Sequence, residues 1–562
     1  MSASDGNDSH SERESFFGAA KVVALLTLLS RVLGMLRDIA IVALGATRAT
    51  DAFWTAFTVP NLFRRLFGEG AMSAAFVPVF TEVAEAKGWD KARLVLANAG
   101  GLLATVLAGI LVLAEIALFA ALLLAPGDWD RQLLLRLLMV LFPFMFFVCL
   151  LALGSAALNC KGHFAYPAFA PVLLNAVLIV GALLAHRMFP SGGTGSLYVL
   201  AVAVVVAGAV QFAGVIWLLK SVNLRIVPTV RPVLPEGKRI ARLVLPMMIP
   251  LGVMQFSAFF DRFYAWIMTA MPGRETFWLF GAELHKPLTT GVVTRLYAAN
   301  RLYQFPMGIL GISLATVVFP LFSRYAARKD HAALRDTTNR ALRLALFLGI
   351  PAGLGLAILA RPAIQVIYRH GRFRPEDVTA TAFILRMYCL GMWAYFCNHI
   401  LLRAFFAQQD TSTPLKVSMV LASVNILLVV TLVFTPLRAG AMGLATATAA
   451  AVNVLLLTWV LRRRWGRIGF RRILLSLARI VLAASCMAGT VIAVQHLLPH
   501  VTAERVGEWT GEVIVLLAAM VAGGGVYASV AGLLRSEELP ELLGAVRRKV
   551  SSTASKQGNE HL

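Results

Sequence analysis

Across 562 residues the chain is 59% hydrophobic and only 14% charged, with a mean hydropathy of +0.75. A water-soluble domain is nearer half apolar and a quarter charged, so this composition excludes a soluble enzyme and points to a membrane protein. The net charge of +23 invites a nucleic-acid reading, but the basic residues collect in the segments between apolar runs and mostly on one side, so no nucleic acid is expected as a partner.

Apolar runs of about 20 residues recur along the chain and predict an all-α polytopic membrane protein with about 14 transmembrane helices. With the N-terminal tail (1–16) in the cytoplasm, the inner loops hold roughly twice as many lysines and arginines as the outer ones, where they meet anionic membrane lipids. The first span follows the tail directly. Its length and internal arginines do not fit a cleaved signal peptide.

That first span carries Arg31, Arg37 and Asp38. A charge at membrane depth costs roughly 2.5 kcal/mol or more, so it faces protein or water and marks a pathway. Arg31 and Asp38 are seven residues apart and share a helix face, Arg37 lies about 120° away, and Gly34 allows a close approach between them. The second span has Asp51 near its outer end and Arg64, Arg65 and Glu69 deeper. Arg65 and Glu69 are spaced i,i+4 and are able to pair. Glu115 is a lone acid in the third span with no assigned role. The inner segment 221–242 is basic, contains Pro228, Pro232 and Pro235, and reads as a linker.

Further along, Asp261 and Arg262 sit mid-span. The carboxylate either binds a proton or Na⁺ or pairs with a neighbouring arginine. Arg301 follows in the segment Ala298 to Pro306. The basic outer stretch Tyr368 to Arg374 reads as a solvated loop. Asn175 and Asn425 suit interhelical hydrogen bonds. The five cysteines read as small buried side chains, and neither they nor His163, His370 and His399 suggest a metal site. No Walker-type phosphate loop is present, which argues against ATP-driven transport by this chain alone.

The chain repeats itself. Ala75-Phe76-Val77-Pro78 corresponds to Val317-Val318-Phe319-Pro320 in position and composition, with Pro78 and Pro320 242 positions apart, and Leu135-Arg136-Leu137 corresponds to Leu385-Arg386-Met387, 250 apart. Two matches in the same order at nearly one offset indicate a duplication: a first six-helix bundle over 17–220, a second over 243–462, then two extra helices within 473–535 and a cytoplasmic tail from 536 to 562. Parallel repeats place a transport site between halves that rock to give alternating access. Arginine's planar fork of donors suits phosphate, and several together suit a pyrophosphate. The opposite reading for each arginine is a structural ion pair or a side chain snorkelling to the interface, and it weighs more for Arg37 and Arg65, which have acids nearby, than for Arg31, Arg64 and Arg301.

Three motifs carry a family resemblance: Ser30-Arg31-Val32-Leu33-Gly34-Met35-Leu36-Arg37-Asp38, Ala49-Thr50-Asp51-Ala52-Phe53, and Pro60-Asn61-Leu62-Phe63-Arg64-Arg65-Leu66-Phe67-Gly68-Glu69-Gly70-Ala71. They closely resemble the MurJ (MviN) lipid II flippases of the multidrug, oligosaccharidyl-lipid and polysaccharide exporter superfamily. Phe76-Val77-Pro78, Pro167-Ala168-Phe169-Ala170-Pro171 and Asn300-Arg301 onward extend the match. The resemblance implies a cationic central cavity for the pyrophosphate-sugar head and a groove on the last two helices for the polyprenyl tail. The family's arginines fall on Arg31, Arg37, Arg64, Arg65 and Arg301, its aspartate on Asp51, and the acid of a proposed sodium site on Asp261. Asn300 and Gln304 stand where relatives often carry acids. The stretch Gly273 to Val292, with Trp278 and His285, looks like an insertion.

The expected function is therefore non-enzymatic: flipping of lipid II, the lipid-linked peptidoglycan precursor, across the bacterial cytoplasmic membrane by alternating access. It needs no bound cofactor, and couples to a Na⁺ or H⁺ gradient or the membrane potential. Cell-wall synthesis machinery is a further expected partner. The alternatives are a multidrug or other lipid-linked oligosaccharide exporter, whose site would favour acids and aromatics for cationic drugs, and a non-transporting scaffold, which needs no buried arginines.

Overall fold

The structure, a computed structural model, describes residues 4–224, 229–231, 233–279, 281–466, 469–498 and 507–544. It is all-helical except for one hairpin. The N-terminal stretch expected as a tail is helical from Ser4, because α1 runs without a break over Ser4–Val42. Of the expected C-terminal tail, residues 545–562 lie outside the described residues.

A Thr47 capping box with Thr50 starts α2 (Arg48–Phe63). Pro60 lies inside α2 and contributes no N–H, and the helix gives way to a π-helical segment over Arg64–Ala71. The helix α3 (Met72–Leu123) is broken at Gly88, whose φ of 81° is open to glycine. Asp128 caps α4 (Trp129–Leu141) by accepting from the Arg131 N–H, and Pro143 opens α5 (Pro143–Cys160). Next come α6 (Ala165–Met188), α7 (Thr194–Ser221) and α8 (Pro235–Ile267).

The expected insertion forms an antiparallel hairpin, β1 (Thr276–Leu279) with β2 (Ala282–His285), pairing Thr276 with His285 and Leu279 with Ala282. Its Trp278 is 72% exposed.

The helix α9 (Val292–Pro306) ends at a proline and a second π-helical segment, Met307–Gly311, before α10 (Ile312–Ala327). Then follow α11 (His331–Ile358), α12 (Ala360–Tyr368), α13 (Pro375–Cys389) and α14 (Met392–Ala407). The last four helices are α15 (Ser412–Leu432), α16 (Gly440–Trp465), α17 (Phe470–Leu497) and α18 (Glu508–Leu533). Among the described residues ten helices are long and apolar enough to cross a bilayer, or eleven if α13 and α14, bent by 43°, form one broken span. The expected count of about 14 also takes in α1, α2 and α8, which are not among those ten or eleven.

The chain forms two compact units: residues Met1–Thr294 with His370–Phe373, and Arg295–Arg369 with Arg374–Leu562. The first ends beyond the expected linker, because α8 packs on α2, α3 and the first π segment. Lipid is as apolar as leucine, so helices in a bilayer associate through close packing and interhelical hydrogen bonds. In the first unit α6 and α7 approach so closely that a Cβ on Gly181 would lie 2.5 Å from that of Ala203. The Tyr166 hydroxyl donates to the Gln211 carbonyl between the same helices at 2.7 Å. In the second unit, Tyr527 of α18 donates to the Phe347 carbonyl of α11 at 2.7 Å, and Asn398 of α14 to the Ala450 carbonyl of α16 at 3.1 Å.

Candidate functional site

The two arginines of α1 have different surroundings. Arg37 donates through Nε and Nη2 to Asp38 Oδ1 (2.9 and 2.6 Å) and through Nη1 to Asn175 Oδ1 at 3.0 Å. Asp38 is fully buried, and the Asn175 amide in turn donates to the Ser30 carbonyl at 2.9 Å. Arg37 therefore ties α1 to α6. Asn175 serves the interhelical role expected of it, with a further bond to a cation. Arg31, one and a half turns earlier, is exposed and makes no hydrogen bond or ion pair among the described residues.

Arg31 borders a cavity of about 430 Å³. The helix α1 contributes Val23, Thr27, Ser30 and Arg31 to its lining, α5 contributes Asn159, and the start of α6 supplies Phe164, Pro167, Ala168 and Pro171. The Thr27 hydroxyl donates back to the Val23 carbonyl at 2.7 Å.

The second group of cations lies at the first π segment. Arg64 donates through Nε to Asn61 Oδ1 at 2.8 Å, and Arg65 through Nη1 to Gln255 Oε1 of α8 at 2.9 Å. Both guanidiniums are half-buried. The expected Arg65–Glu69 pair involves a side chain outside those described. Nearby on α8, Arg262 donates to the Thr58 hydroxyl at 2.9 Å, and Asp261 beside it is half-buried.

Asp51 has a task that its spacing did not disclose. It is fully buried, and its carboxylate accepts from the Gly291 N–H (2.8 Å), the Thr294 N–H (2.9 Å) and the Thr294 hydroxyl (2.9 Å). A carboxylate at this point satisfies otherwise unpaired donors of a first helical turn and complements the helix dipole. Asp51 thus caps α9, the helix that carries Arg301.

Within the second unit, Arg301 is half-buried. Asn300 and Gln304, one turn apart, hydrogen-bond to each other. Tyr303 stacks on Tyr388 with ring centres 4.7 Å apart and tilts against Tyr395 at 5.3 Å. Arg295 pairs with Asp377 at 2.9 Å. Among the described residues no three His, Cys, Asp or Glu side chains converge on one point.

Three features were not expected from the sequence. Arg48, which lies between the first two apolar runs where a solvated outer charge is expected, is buried in a bidentate pair with Asp130 (Nε–Oδ1 2.7 Å, Nη2–Oδ2 2.6 Å). It also donates to the Trp266 carbonyl at 2.7 Å and lies 4.3 Å over the indole. The stretch read as a solvated loop is fastened: the Arg372 N–H donates to the Ala43 carbonyl at 2.9 Å and its guanidinium to the carbonyls of Phe189 and Pro190. Gly371 belongs here, since a Cβ would lie 2.5 Å from the Ala43 oxygen. Third, Cys486 is exposed, whereas Cys149, Cys389 and Cys397 are buried. The available signal for Arg48 was an acid-rich outer turn, Asp128-Trp129-Asp130, with too few local cations to match it.

The family model described as lipid II flippase MurJ matches residues 41–505. A probable lipid II flippase MurJ of Bdellovibrio bacteriovorus is 33% identical over 86% of this chain and 88% of its own length. A lipid II flippase MurJ of Burkholderia cenocepacia is 32% identical over 80% and 84%. Among solved structures, a lipid II flippase MurJ in an inward closed conformation is similar at a TM-score of 0.71, with 22% identity over 91% of this chain and 98% of that one. A multidrug-resistance transporter of the MATE family, inward-facing, is similar at 0.61 with 15% identity.

Proposed function

The chain belongs to the MurJ family of lipid II flippases, and on that premise we propose that it carries lipid II from the cytoplasmic to the outer leaflet with Arg31 as a ligand of the pyrophosphate. It is a multi-pass membrane protein and a transporter rather than an enzyme. The observation that carries the assignment is the contrast within α1. Arg37 is held by Asp38 and Asn175, whereas Arg31 is exposed beside a cavity. An intramembrane guanidinium with no partner among the described residues is well suited to bind an anion.

Arg64, Arg65 and Arg301, half-buried, complete the cationic set. Arg37 and Asp51 act as positioning residues. The first sets the angle of α1 on α6, and the second fixes the start of α9. Asp261 is the group through which a Na⁺ or H⁺ gradient would couple, and the last two helices take the distal polyprenyl tail. The precursor delivered outside is then available to the cell-wall synthesis machinery. Alternating access moves the head past the arginines while the tail stays in lipid.

The test is leaflet accessibility of lipid II in cells depleted of the protein, complemented by the unmutated chain or by Arg31→Ala at equal expression. Precursor trapped inside and released only by the unmutated chain supports the proposal. Normal outward accessibility on depletion would refute flipping, and full rescue by Arg31→Ala would refute the ligand assignment.

A further inference from the structure

The cavity beside Arg31 has a chemical character that differs from what a sugar-peptide head requires. Five of its lining residues, Val23, Phe164, Pro167, Ala168 and Pro171, present hydrocarbon. Neither proline carries an N–H, and Pro171 lies within α6. Of the polar neighbours, the Thr27 hydroxyl is committed to the Val23 carbonyl, and Ser30 is engaged by Asn175 through its carbonyl, with its hydroxyl 3.4 Å from the same amide. Besides Arg31 this leaves Asn159, an exposed amide of α5, to meet a ligand. A disaccharide would bring many hydroxyls and amides to a wall offering few partners, and buried polar groups without partners are unfavourable. One exposed guanidinium next to an apolar slot is complementary instead to a molecule that joins an anion directly to hydrocarbon.

We infer that this cavity seats the phosphate-proximal isoprene units of the lipid carrier while Arg31 holds the adjoining phosphate. The inference rests on the flippase reading and deepens it by assigning the junction of head and tail to α1 and α6. A volume of about 430 Å³ lies within the range of small-molecule sites and accommodates a short run of branched hydrocarbon. Lipid II and the free polyprenyl phosphate carrier share this junction, so both are candidate occupants.

The experiment uses the full chain in proteoliposomes with a photo-crosslinking phenylalanine derivative at position 168, and a control at position 206 on the exposed face of α7. The probes are lipid II and polyprenyl phosphate, each added separately, and crosslinked peptides are mapped by mass spectrometry. The expected result is capture of prenyl carbons at 168, competed by excess of the same probe, and only phospholipid at 206. Capture by both probes assigns the site to the shared junction, and capture by lipid II alone assigns it to the loaded carrier. Capture of sugar or peptide at 168 would overturn the inference in favour of a head-group slot. Capture of phospholipid alone would make the cavity an ordinary acyl-chain groove.

A second measurement narrows the slot without touching Arg31. Ala168→Trp is expected to slow flipping about tenfold by filling the slot, at an unchanged melting temperature, with the exposed control Val206→Trp near normal. Unaltered flipping by Ala168→Trp would overturn the inference. Absence of flipping by the unmutated chain would instead overturn the flippase reading itself.

Discussion

Replacing Asp130 by Ala should destabilise the first unit strongly, and the size of the effect follows from the surroundings of Arg48. Arg48 is 9% exposed and Asp130 6%. The pair is bidentate, and the remaining guanidinium nitrogen donates to the Trp266 carbonyl. Removing the carboxylate leaves a buried cation with two donors unsatisfied, for which about 3–5 kcal/mol is typical. The first unit holds about 300 residues. At about 2.1 cal/mol/K per residue its unfolding entropy is roughly 0.6 kcal/mol/K, so the melting temperature should fall by about 5–8 °C. The assay is thermal unfolding of the purified chain in detergent, followed by tryptophan fluorescence. The double variant Arg48→Met/Asp130→Leu should recover most of the loss, because it removes both desolvated charges together. A fall below about 1 °C for Asp130→Ala would refute the claim that this pair is buried and mutually dependent.

The arginines of α1 should separate by assay. Arg37→Ala leaves the buried Asp38 without its cation and should lower the melting temperature by several degrees, whereas Arg31→Ala should leave the melting temperature within about 1 °C and abolish flipping; equal thermal effects would contradict the division. Asp51→Ala removes the cap of α9 and should cost about 1–2 kcal/mol, read as faster amide exchange at Thr294, with Asp51→Asn recovering part of it. Asp410, in the turn between α14 and α15, has its carboxyl held well below the usual range. Burial alone would raise it, but hydrogen bonds from the Thr413 backbone and side chain, from Arg464 and from Ser412 prevail. A depressed carboxylate contributes stability above its unfolded pKa of about 4 and loses it as pH falls through the lower folded value. The stability gap between the unmutated chain and Asp410→Asn should therefore be constant near neutrality and shrink on acidification below about pH 4. A gap that widens there would contradict the assignment.

The sequence disclosed the features whose anomaly is local. An arginine inside an apolar run is conspicuous without any neighbour, so Arg31, Arg37, Arg64, Arg65 and Arg301 stood out, and the adjacency of Arg37 to Asp38 already hinted at an ion pair. What stayed hidden depends on distant registers. The N–H that Asp51 accepts from Gly291 is 240 positions away, and Arg48 and Asp130 are 82 apart. Both belong to turns whose alignment is set only when whole helices pack. The loop Tyr368 to Arg374 looked solvated because its composition is polar, yet carbonyls at Ala43, Phe189 and Pro190, invisible to a reading of side chains, hold Arg372 in place. The limits of the first unit were likewise illegible. Composition marks where a chain leaves the membrane, whereas the surface that α8 buries against α2 and α3 is decided by packing.

The two π-helical segments have a consequence for how this sequence tolerates insertion and deletion. Each follows a proline, and each precedes another proline, Pro78 or Pro320, by a similar stretch of helix. A π turn takes up more residues than an α turn for the same advance while keeping a continuous hydrogen-bonded ladder. Losing one residue there would tighten the ladder toward an ordinary helix instead of breaking it, and the helix beyond would keep nearly its former direction, because the wider turn already absorbs the extra residue. The same deletion within a regular helix such as α7 would rotate everything downstream by about 100°. Arg64 and Arg65 open the first segment, so the stretch just beyond them is where this chain should accept a one-residue change in length with the least change in direction.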